Sequence, residues 1–177
     1  GAGAGAGGGA GAAGPLQAQV EGAMRAAMRT VVQQKIEAGD LGHALLLMAE
    51  IRARLCALAG SEAQVSITRS SVDVEHAREA HAAGALDQHL VADLVESAAS
   101  RIAALGAQAY AAATVEHGKR AGQGLRPGEL APGSALADFF EWADATLTRI
   151  EAGIAAFLLQ SALLQGVRAG HLQPRRV

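Results

Sequence analysis

Apolar residues recur along much of the chain at alternating steps of three and four positions, which is the spacing of one face of an α-helix. The clearest pattern follows Asp40, a residue type favoured at helix N-caps, and Gly60 is expected to end this helix. Glu50 and Arg54 are four residues apart and predict a weak ion pair on its outer face. The apolar positions of this helix are Leu41, Leu45, Met48, Ile51, Leu55 and Leu58.

The same spacing predicts a long last helix that begins at Ser134, with Asp138 in its first turns. A helix of about thirty residues would be about 45 Å long, so we expect the shorter helices to pack against it. Its apolar stripe is Leu136, Phe140, Ala143, Leu147, Ile150, Ile154, Phe157, Ser161 and Leu164.

A first helix is predicted over residues 16–38, because Gly39 is a favoured residue type just beyond a helix C-terminus. Gly22 weakens its first turns. Its apolar stripe is Val20, Met24, Ala27, Val31 and Gln34.

Two more helices are predicted in the middle of the chain. One begins at Ser71 or one residue earlier, ends at Gly84 and has a thin apolar stripe. The other begins at Asp87 and either ends near Gly106 or continues to His117. The apolar positions of this second helix are Val91, Leu94, Val95, Ala98, Ile102 and Leu105.

The predicted fold class is all-α, a helical bundle of about five helices with a long C-terminal amphipathic helix. Residues 1–15 are nearly all Gly and Ala and predict a disordered linker, residues 16–170 the helical domain, and residues 171–177 a basic tail. Five glycines and two prolines predict a loop over about 118–133. Because the sequence does not open with methionine and has no capping pattern at either end, we expect a piece of a longer protein.

The composition supports this fold class, since the chain is 50% hydrophobic but only 3% aromatic, and Ala and Leu are the strongest helix formers. A net charge of −2 gives no general attraction to nucleic acid or to an anionic membrane. Only Lys35 and Lys119 among the 15 basic residues are lysine, which we interpret as coding bias. The basic loop at Lys119 and Arg120 lacks aromatic neighbours, so no nucleic-acid partner is expected.

The single cysteine, Cys56, excludes a disulfide within the chain and is typical of a reducing compartment. It follows Leu55 in a predicted helix, so we expect a buried and unreactive thiol. These features favour a cytoplasmic location.

The six histidines do not form a recognisable metal-binding pattern. A di-iron bundle needs two Glu-x-x-His pairs that face inward, and the sequence contains none. His43, His76, His81 and His89 fall on predicted outer faces. The sequence also lacks a Gly-x-Ser-x-Gly elbow and a phosphate-binding loop. We therefore expect no catalytic residue, no metal, no cofactor and no small-molecule substrate.

Residues 152–167 contain no charged side chain, which raises the question of a membrane segment. The run of sixteen residues is shorter than the ~20 needed to cross a bilayer, and Gln160, Ser161 and Gln165 interrupt it. We therefore expect a buried core helix and no membrane insertion.

Phe139 and Trp142 lie off the main stripe of the last helix and widen its hydrophobic face. We expect an exposed apolar strip there, in which these two residues contact either the first helix or a protein partner.

Four segments in order, residues 39–58, 72–87, 90–107 and 139–161, resemble the T-complex protein 11 family, a helical family of eukaryotes. The resemblance covers about 39–165. The chain departs from the family pattern where a Cys-Ala-Pro turn followed by Arg-Asp is usual, and where Leu163 and Leu164 replace an Arg-Pro step. Matching positions include Asp40, Leu45, Leu46, Glu50, Ile51, Gly84, Asp87, Asp144, Ala156, Phe157, Gln160 and Ser161.

The resemblance implies a non-enzymatic scaffold or adaptor in signal transduction linked to cyclic AMP and protein kinase A, acting through protein–protein contacts. It also implies a cytoplasmic or flagellar location. No catalytic residues of the family exist to be matched, and Asp73, Asp87, Glu50 and Gln160 are interpreted as helix caps and surface contacts. A structural subunit of a flagellar axoneme is the main alternative, and a helical-bundle enzyme or metal carrier is a third.

Overall fold

A computed structural model describes residues 13–106, 108–125 and 132–168, and within these ranges the chain forms α-helices and no strand. The all-α class is therefore confirmed, with seven helices in the described ranges where about five were expected. Residues 1–12 of the predicted linker and the basic tail lie outside the described residues. The helices are α1 (Ala13–Glu37), α2 (Leu41–Leu58), α3 (Glu62–Ser71), α4 (Val74–Ala82), α5 (Gln88–Leu105), α6 (Gln108–Gly124) and α7 (Pro132–Arg168).

The core is built around the first half of α7, which contacts α1, α2, α5 and α6. Its buried residues lie at the helical spacing that the sequence predicts, and the stripe of α2 faces them from the other side of the core. The largest fully buried side chains are Phe139, Met48, Leu55, Ile102, Leu125, Leu136 and Leu147. The shorter helices therefore pack against α7 as expected, but only against its first half.

The helix predicted from Ser71, or one residue earlier, to Gly84 is present as α4 but begins later, at Val74, and a separate short helix, α3, precedes it. Each has its own N-cap: the Ser61 hydroxyl accepts from the backbone N–H of Gln64 at 3.3 Å, and the Asp73 carboxylate from that of His76 at 3.0 Å. The prediction missed α3 because it buries little apolar surface, with Thr68 as its one buried residue.

The predicted loop over about 118–133 is also wrong in its first half, because α6 continues to Gly124. The alternative that the fourth helix runs on to His117 is wrong as well, since α5 ends at Leu105. Gly118 and Gly122 are one turn apart and lie against Ala99 and Glu96 of α5. These glycines therefore allow two helices to approach closely, and they do not mark a turn. Residues 126–131 lie outside the described range.

The ends of α1 and α4 show why two glycines are needed. Gly39 and Gly84 have φ angles of 78° and 69°, the left-handed region that favours glycine. After α1, the N–H of Asp40 bonds the carbonyl of Lys35 at 2.8 Å, and that of Gly39 bonds Ile36 at 2.9 Å, which is a Schellman motif. The predicted stop at Gly39 is thus confirmed.

Asp40 does not cap α2 as predicted. Its side chain makes no capping hydrogen bond and instead lies 3.2 Å from the Lys35 ammonium. By contrast, the Asp87 carboxylate accepts from the backbone N–H of Leu90 at 2.8 Å, so the predicted start of α5 is confirmed.

Candidate partner-binding surfaces

Phe139 and Trp142 do not form the exposed strip expected for them. Phe139 is 0% exposed, and Trp142 is half-buried with its ring stacked on His117 of α6, the centroids 4.5 Å apart. Phe140, from the predicted stripe, is the residue that faces α1. The partner-contact expectation for Phe139 is therefore wrong, because a side chain buried in the core offers no surface to a partner.

His117 gains an unusual environment from this stacking. Burial lowers the pKa of the imidazole, and Arg120 lowers it further, while Asp138 acts in the opposite direction. The neutral imidazole is consequently the form that fits against the indole of Trp142. His117 and Trp142 thus join α6 to α7.

Most of the exposed apolar side chains on α1 point away from α7. Every position of the apolar stripe predicted for α1 is exposed, whereas Val32 and Ile36 are buried. Because consecutive residues turn by 100°, Leu16, Val20, Met24 and Val31 point away from this pair, whereas Met28 is one turn before Val32 and borders the contact with α7. We call them the α1 stripe; they are 41–68% exposed and comprise Leu16, Val20, Met24, Met28 and Val31.

The last part of α7 is exposed on every side. We call residues 152–167 the distal segment; side chains are described to Gln165, and none from 152 to 165 is buried. The expectation of a buried core helix is therefore wrong. The apolar stripe of α7 continues past Ile150 into the distal segment, but no other described helix packs on it there. The exposed large residues are Ile154, Phe157, Leu158, Leu159, Leu163 and Leu164.

Arg54 marks the place where α7 leaves the bundle. Its guanidinium donates two hydrogen bonds to the Glu151 carboxylate, at 2.8 and 3.0 Å, and one to Asp144 at 2.7 Å. The hydrogen bond from Arg54 is the main cause that lowers the pKa of Glu151. Arg54 therefore links α2 to α7 and does not form the predicted pair with Glu50. We call its hydrogen bonds to Asp144 and Glu151 the Arg54 clasp.

An antiparallel register holds α1 against α7. Arg29 pairs with Asp138 and with Glu141, and Gly133 lies beside Gln33 four residues farther along α1. Because α1 begins only 16 residues before Arg29, α7 runs beyond the start of α1. The geometry explains why α1 cannot cover the end of α7.

One open cleft of about 460 Å³ lies between α1, α2 and α4. Its walls include Lys35, Asp40, His43, Arg78 and His81. The only carboxylate there is already paired with Lys35, which lowers its pKa. In the described part of the chain, no group of three or more His, Cys, Asp or Glu side chains could hold a metal ion.

The structure also places the other residues that the sequence analysis singled out. Cys56 is partly exposed, so the expectation of a buried thiol is wrong. Asp73 and Asp87 cap α4 and α5, whereas Glu50 and Gln160 are exposed. Sequence reasoning missed Arg54 as a link between helices and the exposed α1 stripe. The apolar spacing of α1 was visible in the sequence, but its exposure was not, and the sequence gives no signal that separates Arg54 from Arg52.

The chain matches no protein-family model, no curated protein and no solved structure.

Proposed function

We propose that the protein is a non-enzymatic helical adaptor, and that the α1 stripe is the surface on which a protein partner docks. The observation that supports this most directly is the stripe itself, with five large apolar side chains exposed on α1, four of which point away from the core. Such a row is typical of a surface that binds another protein.

The spacing of the α1 stripe fits a partner helix. Its first four residues are each four positions apart, which forms a ridge that can pack into the groove of another helix. Met24 and Met28 are at its centre, and methionine adapts its shape to irregular partner surfaces. The partner we propose is therefore an amphipathic helix with an apolar face.

The resemblance to the T-complex protein 11 family supports a partner in the cyclic-AMP and protein kinase A pathway. That resemblance covers about 39–165, so it concerns the bundle that holds α1 rather than α1 itself. The catalytic and regulatory subunits of protein kinase A are accordingly the first partners to test.

Binding of purified kinase subunits to the full chain tests the proposal by biolayer interferometry. Val20→Ser with Met24→Ser should weaken binding by about tenfold or more, because central apolar contacts dominate such interfaces. Ile67→Ser changes an exposed apolar residue on α3 and should leave binding unchanged. Far-ultraviolet circular dichroism checks that each variant keeps its helices.

Absence of binding to either subunit would overturn the signalling assignment. Binding that persists in the double variant would overturn the assignment of the surface. Co-sedimentation with microtubules, lost in the same variant, would favour the axonemal alternative.

A further inference from the structure

The distal segment of α7 has large apolar side chains around its whole circumference, and its only polar side chains are the uncharged Gln160, Ser161 and Gln165. Phe157, Leu158 and Leu159 are consecutive, so they point in three directions 100° apart, and each is more than 60% exposed. A partner helix or a flat protein surface covers one face only. A helix that is hydrophobic on all sides requires an apolar environment on all sides.

Charge changes sharply at the start of this segment. Glu151 is the last acidic residue of the sequence, and its carboxylate is held by Arg54 of the bundle. Residues 152–167 have no charge, and the charged residues after them are Arg168, Arg175 and Arg176. The segment is therefore uncharged along its length and is followed by basic residues. Its apolar side chains match lipid tails, and the arginines after it match anionic headgroups.

Length and hydropathy agree with this pattern. One helix of the described residues, over Gly133–Gln165, contains an 18-residue window with a mean hydropathy of 1.4, and 6% of that window is buried. The core helix of a soluble protein can have the same hydropathy, but most of its window would be buried. Sixteen uncharged residues extend about 24 Å, somewhat less than the ~30 Å hydrocarbon core of a bilayer.

From these observations we infer that the distal segment inserts lengthwise into a lipid bilayer with anionic headgroups, while the rest of the bundle stays outside. The Arg54 clasp holds the helix at the boundary, because Asp144, Thr148 and Glu151 are all bonded to its guanidinium on the bundle side. Arg168 follows the uncharged run directly in the sequence. This reverses the expectation drawn from the length of the uncharged run alone.

Flotation of the full chain with lipid vesicles tests the inference. Vesicles of phosphatidylcholine mixed with phosphatidylserine should bind the protein, and Leu158→Glu should lower its partition coefficient into the vesicles about a hundredfold, as for a charge in the middle of a bilayer. Ile67→Glu is the matched control, because it places the same charge at an exposed apolar position of α3. That control should float like the original protein.

Two further variants test depth and headgroup preference. Phe157→Trp in a Trp142→Phe background should show emission quenched by lipids brominated in their acyl chains. Replacing Arg168, Arg175 and Arg176 by Gln should weaken binding to the anionic vesicles by about fivefold for each arginine that lies near the surface.

Three results would overturn the inference. The protein could fail to float, it could float without acyl-chain quenching, or it could lose no binding in the Leu158→Glu variant. A concentration-dependent dimer without flotation, abolished by Leu158→Glu in sedimentation velocity, would assign the segment to contact with a second copy of the chain instead.

Discussion

Gly118 of α6 lies directly against Ala99 of α5, so closely that a β-carbon at position 118 would overlap the Cβ of Ala99. The Cα of Ala99 would also be only 3.6 Å from that added atom. Gly122, one turn later, faces the outer atoms of the Glu96 side chain, which can move aside. The close packing of α5 and α6 therefore depends on the absence of a side chain at position 118.

Gly118→Ala should destabilise the protein by about 1–3 kcal/mol, the range for overpacking a close contact. Gly153→Ala is the matched control, because nothing lies within 4 Å of an added Cβ there. In that exposed helical position alanine should raise the free energy of unfolding by up to about 1 kcal/mol. Urea denaturation of both variants measures the difference, and equal effects of the same sign would contradict the close α5–α6 contact.

Arg54→Lys should lower the free energy of unfolding by about 1 kcal/mol, because lysine keeps the charge but cannot form the paired hydrogen bonds to Glu151. The expected loss of unfolding free energy is small because Glu151 and Asp144 are substantially exposed. Arg149→Lys is the control, since the Arg149 side chain bonds only Ala145 and Thr146 within its own helix. Chemical denaturation in which both variants lose the same stability would refute the clasp.

The Arg52–Glu75 pair between α2 and α4 should make stability depend on acid pH. The hydrogen bond from Arg52 lowers the pKa of Glu75 from 4.5 to about 2. Because the folded pKa is the lower one, this contribution is present above pH 4.5 and is lost as the pH falls towards 2. Glu75→Gln should remove it, so the stability difference between the two proteins shrinks over that interval. A difference that stays constant from pH 6 to pH 2 would contradict the pair.

Protonation of His117 should change the emission of Trp142, the only tryptophan of the chain. Burial lowers the pKa of His117 from 6.5, so the fluorescence titration should have its midpoint below that value. Stability should also fall as the pH drops below 6.5, because the unfolded chain binds the proton more readily. His117→Gln should abolish the titration, and a midpoint at or above 6.5 would contradict the burial of His117 against α7.

The two aspartates ahead of α2 and α5 should respond differently to mutation. Asp87→Ala removes the bond to the N–H of Leu90 and should cost about 1 kcal/mol. Asp40→Ala should cost less, because Asp40 makes no capping bond. Thermal unfolding followed by circular dichroism compares them, and a larger loss for Asp40→Ala would show that the caps are assigned to the wrong residues.

The stripes of α2, α5 and the first half of α7 were predictable from the sequence because their apolar residues all meet one core. Leu45, Val95 and Phe140 are buried as their spacing indicates. The cap at Asp87 and the stop at Gly39 were predictable for a local reason, since both act on their own backbone.

The failures concern residues whose role depends on a neighbouring helix. Gly118 has the composition signal of a loop, but a contact with Ala99 makes it a packing residue. Val20 and Ile154 have the spacing of core residues, but nothing among the described helices covers them. The candidate surfaces were missed for the same reason, because periodicity identifies an apolar face without identifying what lies against it.

The sequence alone therefore determined that the chain is helical, because helix formation and capping follow from side chains within one or two turns. The tertiary structure decided which apolar residues are core and which are surface. The burial of each apolar residue depends on helix length and register. The N-terminal end of α1, whose register is set by Arg29, does not reach far enough to cover the distal segment. The contacts between α2 and α7 extend only as far as Glu151. No local pattern contains this information, because burial is a property of two surfaces together.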